Sequence, residues 1–380
     1  MTRLILVFCS LFIITPLLFA DPVDSLEIVL KTAKGDLKVK TLNELFRAYF
    51  NSDPVKAIGY TREALSLATE IEDSKGMAAS YNNLGVAYKS QGALDKALEY
   101  YLTSLNIYDK LKNKEGIANT RNNIGTIYSM KKDYGQAMKY FEDSHRIFLE
   151  LGDQEKIVSS MNNLGNLHSD LQLYEQALKY YSQAFQLSEK SGKIYPDPLN
   201  NIGNLYFRQG NYQKAVEYYE RGFDLAKKEN NKISELSIIA NLGEVYARAG
   251  RGKEAQQYLD QAMALSRELQ AYVYEPQILK SMAANYASQN KMSEAYQTMV
   301  RYDATKEKIY GEESSRKIAQ MEMALDINEK EKEFEALKKD DEIKTLQLNN
   351  TRMIITAVVL AIVLSLAGLN LFMQKRKFRS

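Results

Sequence analysis

Asparagine is the residue whose spacing in this sequence could support chemistry. Asn-Asn pairs recur at Asn82-Asn83, Asn122-Asn123, Asn162-Asn163 and Asn200-Asn201. A side-chain amide both donates and accepts hydrogen bonds, so a regular series of amides can bind the backbone of an extended peptide. The alternative is that the amides bind one another and hold neighbouring structural units together. The elements that carry these pairs decide between the two roles.

Catalytic chemistry has few candidates in this chain. His145 and His168 are the only histidines, and Cys9 is the only cysteine. His168 aligns with tyrosines elsewhere in the chain, which predicts a packing role, and His145 is expected at the surface. With no accompanying triad, metal-ligand cluster or phosphate loop, we predict a non-enzyme without metal or cofactor. The 50 Lys and Arg nearly balance the 48 Asp and Glu, which argues against a nucleic acid partner.

The asparagine pairs belong to an internal repeat. Each pair, and Asn241 in a fifth copy, precedes a glycine, and these glycines lie 40, 40, 38 and 40 residues apart. A tyrosine or His168 follows three residues after the glycine, an alanine twelve residues after it, and a large apolar residue sixteen after it. A fixed period of this size indicates stacked helical hairpins, in which Gly and Ala allow close helix packing. The five glycines are Gly85, Gly125, Gly165, Gly203 and Gly243.

This pattern resembles the tetratricopeptide repeat, over about residues 41–302. The fold class implied is all-α: a solenoid of about seven hairpins over 21–305, whose two end copies are degraded as caps often are. The degraded copies contain Phe46 and Tyr286. The period of 40 exceeds the ~34 residues usual for the family, so the resemblance is to its long-repeat members, which bind extended peptides or act as sensor modules.

The resemblance also implies where a partner binds, because first helices of such hairpins line a concave groove. Carried over to this chain, the first asparagine of each pair faces the groove, while the second ties neighbouring hairpins together. A protein or extended peptide is the expected partner. The groove candidates are Asn82, Asn122, Asn162, Asn200, Asn166, Asn204 and Lys89.

Two apolar ends predict the topology. Residues 1–20 have the three-part pattern of a cleaved signal peptide, with an uncleaved anchor or a Cys9 lipoprotein as alternatives. Residues 353–373 carry no charge and suffice to span a bilayer. The basic segment 374–380 follows, and the positive-inside rule places it in the cytoplasm. We therefore expect a single-pass protein of a bacterial inner membrane with a periplasmic solenoid.

Between the solenoid and the membrane segment, residues 306–351 form a charged stalk. A heptad pattern that includes Phe334, Leu337 and Leu348 predicts a weak coiled coil, and a single solvated helix is the alternative. Ala357, Ala361 and Ser365 form a small-residue stripe of the kind that lets membrane helices approach. Stalk and membrane helix together make a homodimer one expectation.

The order of parts resembles bacterial sensor histidine kinases and membrane-bound helix-turn-helix regulators as far as the membrane helix, without their cytoplasmic effectors. The resemblance implies a sensor or adaptor that binds a peptide or protein on the exported side. The alternative is a scaffold that holds an envelope complex without signalling.

Overall fold

The computed structural model describes residues 22–377, so the predicted signal peptide and Cys9 lie outside the described residues, as do 378–380. Within the described range every regular element is a helix, which confirms the predicted all-α class. The helices are α1 (Pro22–Thr32), α2 (Gly35–Tyr49), α3 (Pro54–Glu70), α4 (Ser74–Ser90), α5 (Leu94–Lys110), α6 (Lys114–Met130), α7 (Tyr134–Leu151), α8 (Gln154–Asp170), α9 (Tyr174–Lys190), α10 (Asp197–Arg208), α11 (Tyr212–Lys228), α12 (Lys232–Arg248), α13 (Gly252–Glu268), α14 (Glu275–Ser288), α15 (Met292–Tyr310) and α16 (Glu312–Lys377).

Seven antiparallel hairpins run from α2 to α15, in agreement with the predicted number. Each hairpin has a first helix, such as α4, and a second helix, such as α5. Two hairpins differ from this regular pattern. The first helix of the fifth hairpin, α10, has 12 residues instead of 17. A short 3-10 helix, Tyr272–Tyr274, precedes the seventh hairpin. The second helix of the seventh hairpin, α15, ends at Tyr310.

The chain reverses through turns that combine a left-handed residue with a helix cap. Before α7, Lys132 adopts φ of 62°, and the side chain of Asp133 then accepts a hydrogen bond from the backbone N–H of Gln136. Glu72 with Asp73 and Asn230 with Asn231 repeat this arrangement. Asp and Asn cap helix N-termini because their side-chain oxygens accept from N–H groups that lack an intrahelical partner. The residues of these turns therefore also cap the helix that follows.

Within a hairpin, the predicted glycine, alanine and aromatic residues meet. The ring of Tyr181 on α9 lies against Gly165 on α8, where an added Cβ would be 2.5 Å from the ring. Ala177 is fully buried beside them. Gly203 and Tyr219 repeat the contact in the fifth hairpin, also with 2.5 Å. Gly is needed at these positions because the large side chain of the second helix occupies the space of a Cβ.

Successive hairpins stack so that first helices lie on the inner side of a curve. First helices of neighbouring hairpins contact each other, whereas no comparable contact joins successive second helices in the described part of the chain. The structure therefore has an inner wall, which we define as the accessible faces of the first helices α4, α6, α8, α10 and α12.

The first hairpin also contacts the junction between the sixth and seventh. The backbone N–H of Val273 donates a 3.3 Å hydrogen bond to the carbonyl of Asn51. Asn51 lies in the turn between α2 and α3, and Val273 in the 3-10 helix before α14. Residues more than 200 positions apart in the chain are thus neighbours, and the beginning of the array contacts a segment near its end.

The second compact unit of the chain covers residues 319–380, and its described part lies within α16. Among the described residues, α16 is the one helix long and apolar enough to cross a membrane, by length and composition. It contains the predicted span 353–373, where Ile354 is 65% and Leu364 also 65% exposed. The large apolar side chains of this segment are therefore accessible rather than packed in a core.

Candidate functional site

A series of asparagine side chains connects successive hairpins. Nδ2 of Asn123 donates to Oδ1 of Asn82 over 2.9 Å, and Nδ2 of Asn163 donates to Oδ1 of Asn122 over 2.8 Å. Asn241 donates to Asn200 over 2.8 Å. We call this series the asparagine ladder. It confirms the prediction that the second asparagine of these pairs joins neighbouring hairpins.

The ladder determines which atoms the first asparagines present to the inner wall. Asn82, Asn122 and Asn200 are half-buried, and their oxygens accept the ladder bonds. Within residues 22–377, the structure gives their Nδ2 groups no protein acceptor. An amide nitrogen carries two donor hydrogens. The inner wall therefore offers a row of N–H donors, which suits acceptors such as the carbonyl oxygens of a peptide backbone.

The ladder is interrupted between the fourth and fifth hairpins. Asn162 is only 7% exposed, and its Oδ1 is buried with no hydrogen-bond partner. The expected donor, Asn201, makes no bond to it in the described structure. The interruption lies where the repeat glycines Gly165 and Gly203 are 38 rather than 40 residues apart. It also coincides with the short α10, which begins at Asp197, after Pro196. Asn162 was predicted to face the groove like its counterparts, and it is the most buried of them.

The second row of predicted groove residues is connected to the hairpin core. The hydroxyl of Tyr181 donates to Oδ1 of Asn166 over 2.6 Å, and that of Tyr219 donates to Oδ1 of Asn204 over 2.7 Å. Burial raises the pKa of both tyrosines, so they remain protonated donors. Asn166 is exposed and Asn204 half-buried. Each of these asparagines therefore faces the inner wall with its oxygen engaged and its Nδ2 side outward.

Lys89 is the cationic member of the predicted set. Its side chain is half-buried on α4, and the described residues provide it with no ion pair or hydrogen bond. Burial lowers the pKa of Lys89, because an ammonium group without a counter-charge loses solvation. An acidic group from a partner would restore that lost interaction.

Both histidines pack against or hydrogen-bond to other side chains of the solenoid. His168 packs against Tyr180 with ring centroids 5.1 Å apart and ring planes tilted by 39°, in agreement with the predicted packing role. His145 was expected at the surface. Instead it is half-buried, and its Nδ1 lies 2.8 Å from Oγ of Ser160 on the next helix. Among the described residues, no cluster of three or more His, Cys, Asp or Glu side chains could hold a metal ion.

Sequence reasoning missed a second column of aromatic side chains. Tyr100 stacks on Tyr88, and the same pairing recurs in each of the next four hairpins, with centroids 5.1 to 5.5 Å apart. The ammonium of Lys96 lies 4.4 Å from the Tyr88 centroid, and Arg251 covers Tyr246 at 4.5 Å. The signal was an extra tyrosine immediately before each second-helix position that packs on glycine. The column members are Tyr100, Tyr140, Tyr180, Tyr218 and Tyr258.

Comparison with known proteins agrees with this architecture. Family models described as tetratricopeptide repeat match residues 46–110, 76–150, 116–190 and 156–228, and a second model of that description matches 236–269. Among curated proteins, no sequence matches the chain.

Several solved structures share the fold. The Rap protein complexed with competence and sporulation factor has 17% identity and a TM-score of 0.59, covering 76% of this chain and 79% of that one. The Rap conjugation gene regulator of plasmid pLS20, in complex with a Phr peptide, has 19% identity and a TM-score of 0.50, covering 75% and 82%. A signal transduction ATPase with a tetratricopeptide repeat sensor, from Pyrococcus horikoshii, has 15% identity and a TM-score of 0.52, covering 80% and 47%. At these identities the likeness concerns the fold alone.

Proposed function

Because the chain belongs to the tetratricopeptide repeat family, we propose that it is a membrane-anchored binding module that takes a peptide or an extended protein segment on its inner wall. The observation that carries this proposal is the row of outward Nδ2 groups on Asn82, Asn122 and Asn200. Their oxygens are engaged in the asparagine ladder, which fixes the orientation of each amide. Donors held in one orientation bind with a smaller loss of side-chain entropy than mobile ones.

The chemistry favours a backbone partner. An extended peptide presents one carbonyl per residue, and these oxygens are free of intramolecular bonds when the chain is neither helix nor sheet. Asn166 and Asn204 extend the donor row across the inner wall. Lys89 adds a preference for an acidic group at the second hairpin. One related fold, the pLS20 regulator, was solved with a peptide, which supports the proposal by analogy.

A crosslinking experiment in whole cells tests the binding site. A photoreactive amino acid at position 122 lies on the inner wall, and one at Glu142 lies on the exposed face of the second helix α7. We expect position 122, but not 142, to capture a partner that is identified by mass spectrometry. Equal capture from both positions, or capture from 142 alone, contradicts an inner-wall site.

Membrane anchoring by residues 353–373 is the second part of the proposal. The exposed apolar side chains of this segment, including Ile354 and Leu364, support it because a soluble helix would bury such surface. The charges of Lys375 and Arg376 support a cytoplasmic C-terminus. Reporter fusions after Ser380 test the orientation. A reporter that is active only in the cytoplasm should fluoresce there, and activity only outside the cytoplasm contradicts the topology.

A sensor or adaptor role follows if binding in the solenoid alters the stalk. Phe334 is 70% exposed in the single chain, and Leu337 and Leu348 further along the same helix are 62% and 55% exposed, which supports a weak coiled coil between two copies. Cysteine substitution at Leu337 in the full-length protein tests this. Disulfide-linked dimers that change in yield when partner is withdrawn favour a sensor, and a constant yield favours a scaffold.

A further inference from the structure

The contact between the first hairpin and the junction of the sixth and seventh is a defined interface, which we call the seam. Beside the Asn51–Val273 hydrogen bond it surrounds a pocket of about 360 Å³. One side of the pocket comes from the first hairpin and α1, and the other from the start of α12 and the end of α13. The pocket is lined by Val23, Ala48, Asn51, Ser52, Ile233, Glu268, Leu269, Gln270 and Ala271.

The seam changes the topology of the binding surface. In an open solenoid the concave face is accessible from the side along its whole length. Here the first hairpin reaches the end of the sixth, and first helices lie inward throughout. The inner wall therefore surrounds its central space, and the sides of that space are formed by protein. A ligand enters through the two open ends or through the seam when it separates.

We propose that the closed seam makes this protein selective for a thin, extended peptide and excludes folded domains from the inner wall. The proposal rests on the proposed function, because it specifies the partner of the same surface. An extended chain passes through an enclosed channel, and its carbonyl oxygens reach the Nδ2 donors that the second to fifth hairpins present there. A folded domain meets the same donors only if the seam opens.

The seam is weak enough to open locally. The backbone hydrogen bond that the described residues form across it is long, at 3.3 Å, and four of the nine pocket-lining residues are polar: Asn51, Ser52, Glu268 and Gln270. The five apolar lining residues surround an open pocket rather than a closed core: Val23, Ala48, Ile233, Leu269 and Ala271. Regions with little buried apolar area open with a free energy far below that of global unfolding. The seam can therefore regulate entry while the hairpins on either side remain folded.

The test measures access to the inner wall without any ligand. Asn166→Cys places a thiol on the exposed inner wall, and Gln183→Cys places one on the exposed outer helix α9. Both are made in full-length protein that carries Cys9→Ser. Each is labelled with N-ethylmaleimide and with a bulky polyethylene-glycol maleimide. At each position, the rate of the bulky reagent is divided by the rate of the small one. We expect this ratio to be at least ~10-fold lower at position 166 than at position 183.

Opening the seam should remove this difference. Ala48→Glu places a carboxylate in the pocket that Glu268 also lines, so steric and like-charge repulsion separate the two sides. It should raise the bulky-reagent rate at position 166 and leave the rate at 183 unchanged. Ala249→Glu, at an exposed turn away from the seam, is the matched control and should change neither rate.

The outcomes separate this inference from the proposed function. The enclosed channel is overturned if, with the seam intact, the ratio of bulky-reagent to small-reagent rate is the same at positions 166 and 183. This holds whatever partner is captured at position 122. Crosslinking of a folded domain at position 122 with the seam intact overturns the selectivity. If access at 166 is restricted but no partner is ever captured at 122, the channel stands and the proposed function fails.

Discussion

The hydroxyl of Tyr181 donates a 2.6 Å hydrogen bond to Oδ1 of Asn166, fifteen residues earlier on the partner helix of the same hairpin. The bond joins a core residue to a residue of the inner wall. Tyr219 and Asn204 repeat it at 2.7 Å. In the second hairpin the position of Asn166 is taken by Val86, and Oη of Tyr101 is buried without a partner. Where this position of the inner wall is an asparagine, it is therefore hydrogen-bonded to the tyrosine beneath it.

This coupling predicts that Val86→Asn stabilises the second hairpin. The new amide would accept from Tyr101 and satisfy a buried hydroxyl, which is worth about 1 kcal/mol in free energy of unfolding. Chemical denaturation of the variant and parent measures the gain. In a Tyr101→Phe background the gain should vanish, because no hydroxyl remains to be satisfied. A gain that persists in that background contradicts the proposed cause.

The asparagine ladder predicts unequal effects of equivalent substitutions. Asn163→Ala removes the bond to Asn122 and leaves that oxygen without its donor, at a cost of about 1–2 kcal/mol in free energy of unfolding. Asn201→Ala is the matched control, since Asn201 makes no ladder bond to Asn162. Urea unfolding of both variants compares them. An equal loss of stability at 163 and 201 contradicts the role given to the ladder.

Gly165→Ala should destabilise the fourth hairpin. The added methyl would lie 2.5 Å from the Tyr181 ring, and relief requires the ring or a helix to move. Overpacking of this kind costs about 1–3 kcal/mol. Gly135→Ala, at the start of α7, is the control, because its nearest neighbour would be 3.8 Å away and Ala favours helix. Thermal unfolding should show a lower midpoint for the first variant and an unchanged or higher one for the second.

His145 predicts a pH dependence of stability. Burial lowers its pKa below the ordinary value of 6.5, so the unfolded chain binds the proton at a higher pH than the folded one. The stability contribution of neutral His145 is therefore complete well above pH 6.5 and decreases as the pH falls through that value. Asp143 and Arg146 are its charged neighbours on α7. His145→Gln should flatten the decrease in unfolding free energy between about pH 7 and 5, and an unchanged slope contradicts this assignment.

Local features of the fold could be read from the sequence because they depend on spacing within one hairpin. Gly165, Ala177 and Tyr181 must meet if two helices of this length are antiparallel, so their separation predicts their contact. The second aromatic column also follows from spacing within one hairpin, because Tyr180 directly precedes Tyr181 on the same helix.

Features that depend on several hairpins could not be predicted in this way. Contact between Asn51 and Val273 results from small rotations accumulated over successive interfaces, and no residue pattern records their sum. The half-burial of His145 depends on the approach of α8, which places Ser160 against it. The orientation of each asparagine amide could not be predicted either, because it depends on the neighbouring hairpin. The hydrogen bond from Asn163 shows that Oδ1 of Asn122 points towards the next hairpin.

The interruption at Asn162 has a consequence for folding cooperativity. The stability of a repeat array is approximately the sum of terms for single repeats and for their nearest-neighbour interfaces. Among the interfaces from α4 to α12, the one between the fourth and fifth hairpins lacks the ladder bond and includes the shortened α10, so we expect it to be the weakest coupling along the inner wall. Partial unfolding should therefore divide the array here, into a block of four hairpins and a block of three. Native-state hydrogen exchange should report these blocks as separate cooperative units, with the boundary between Lys190 and Asp197.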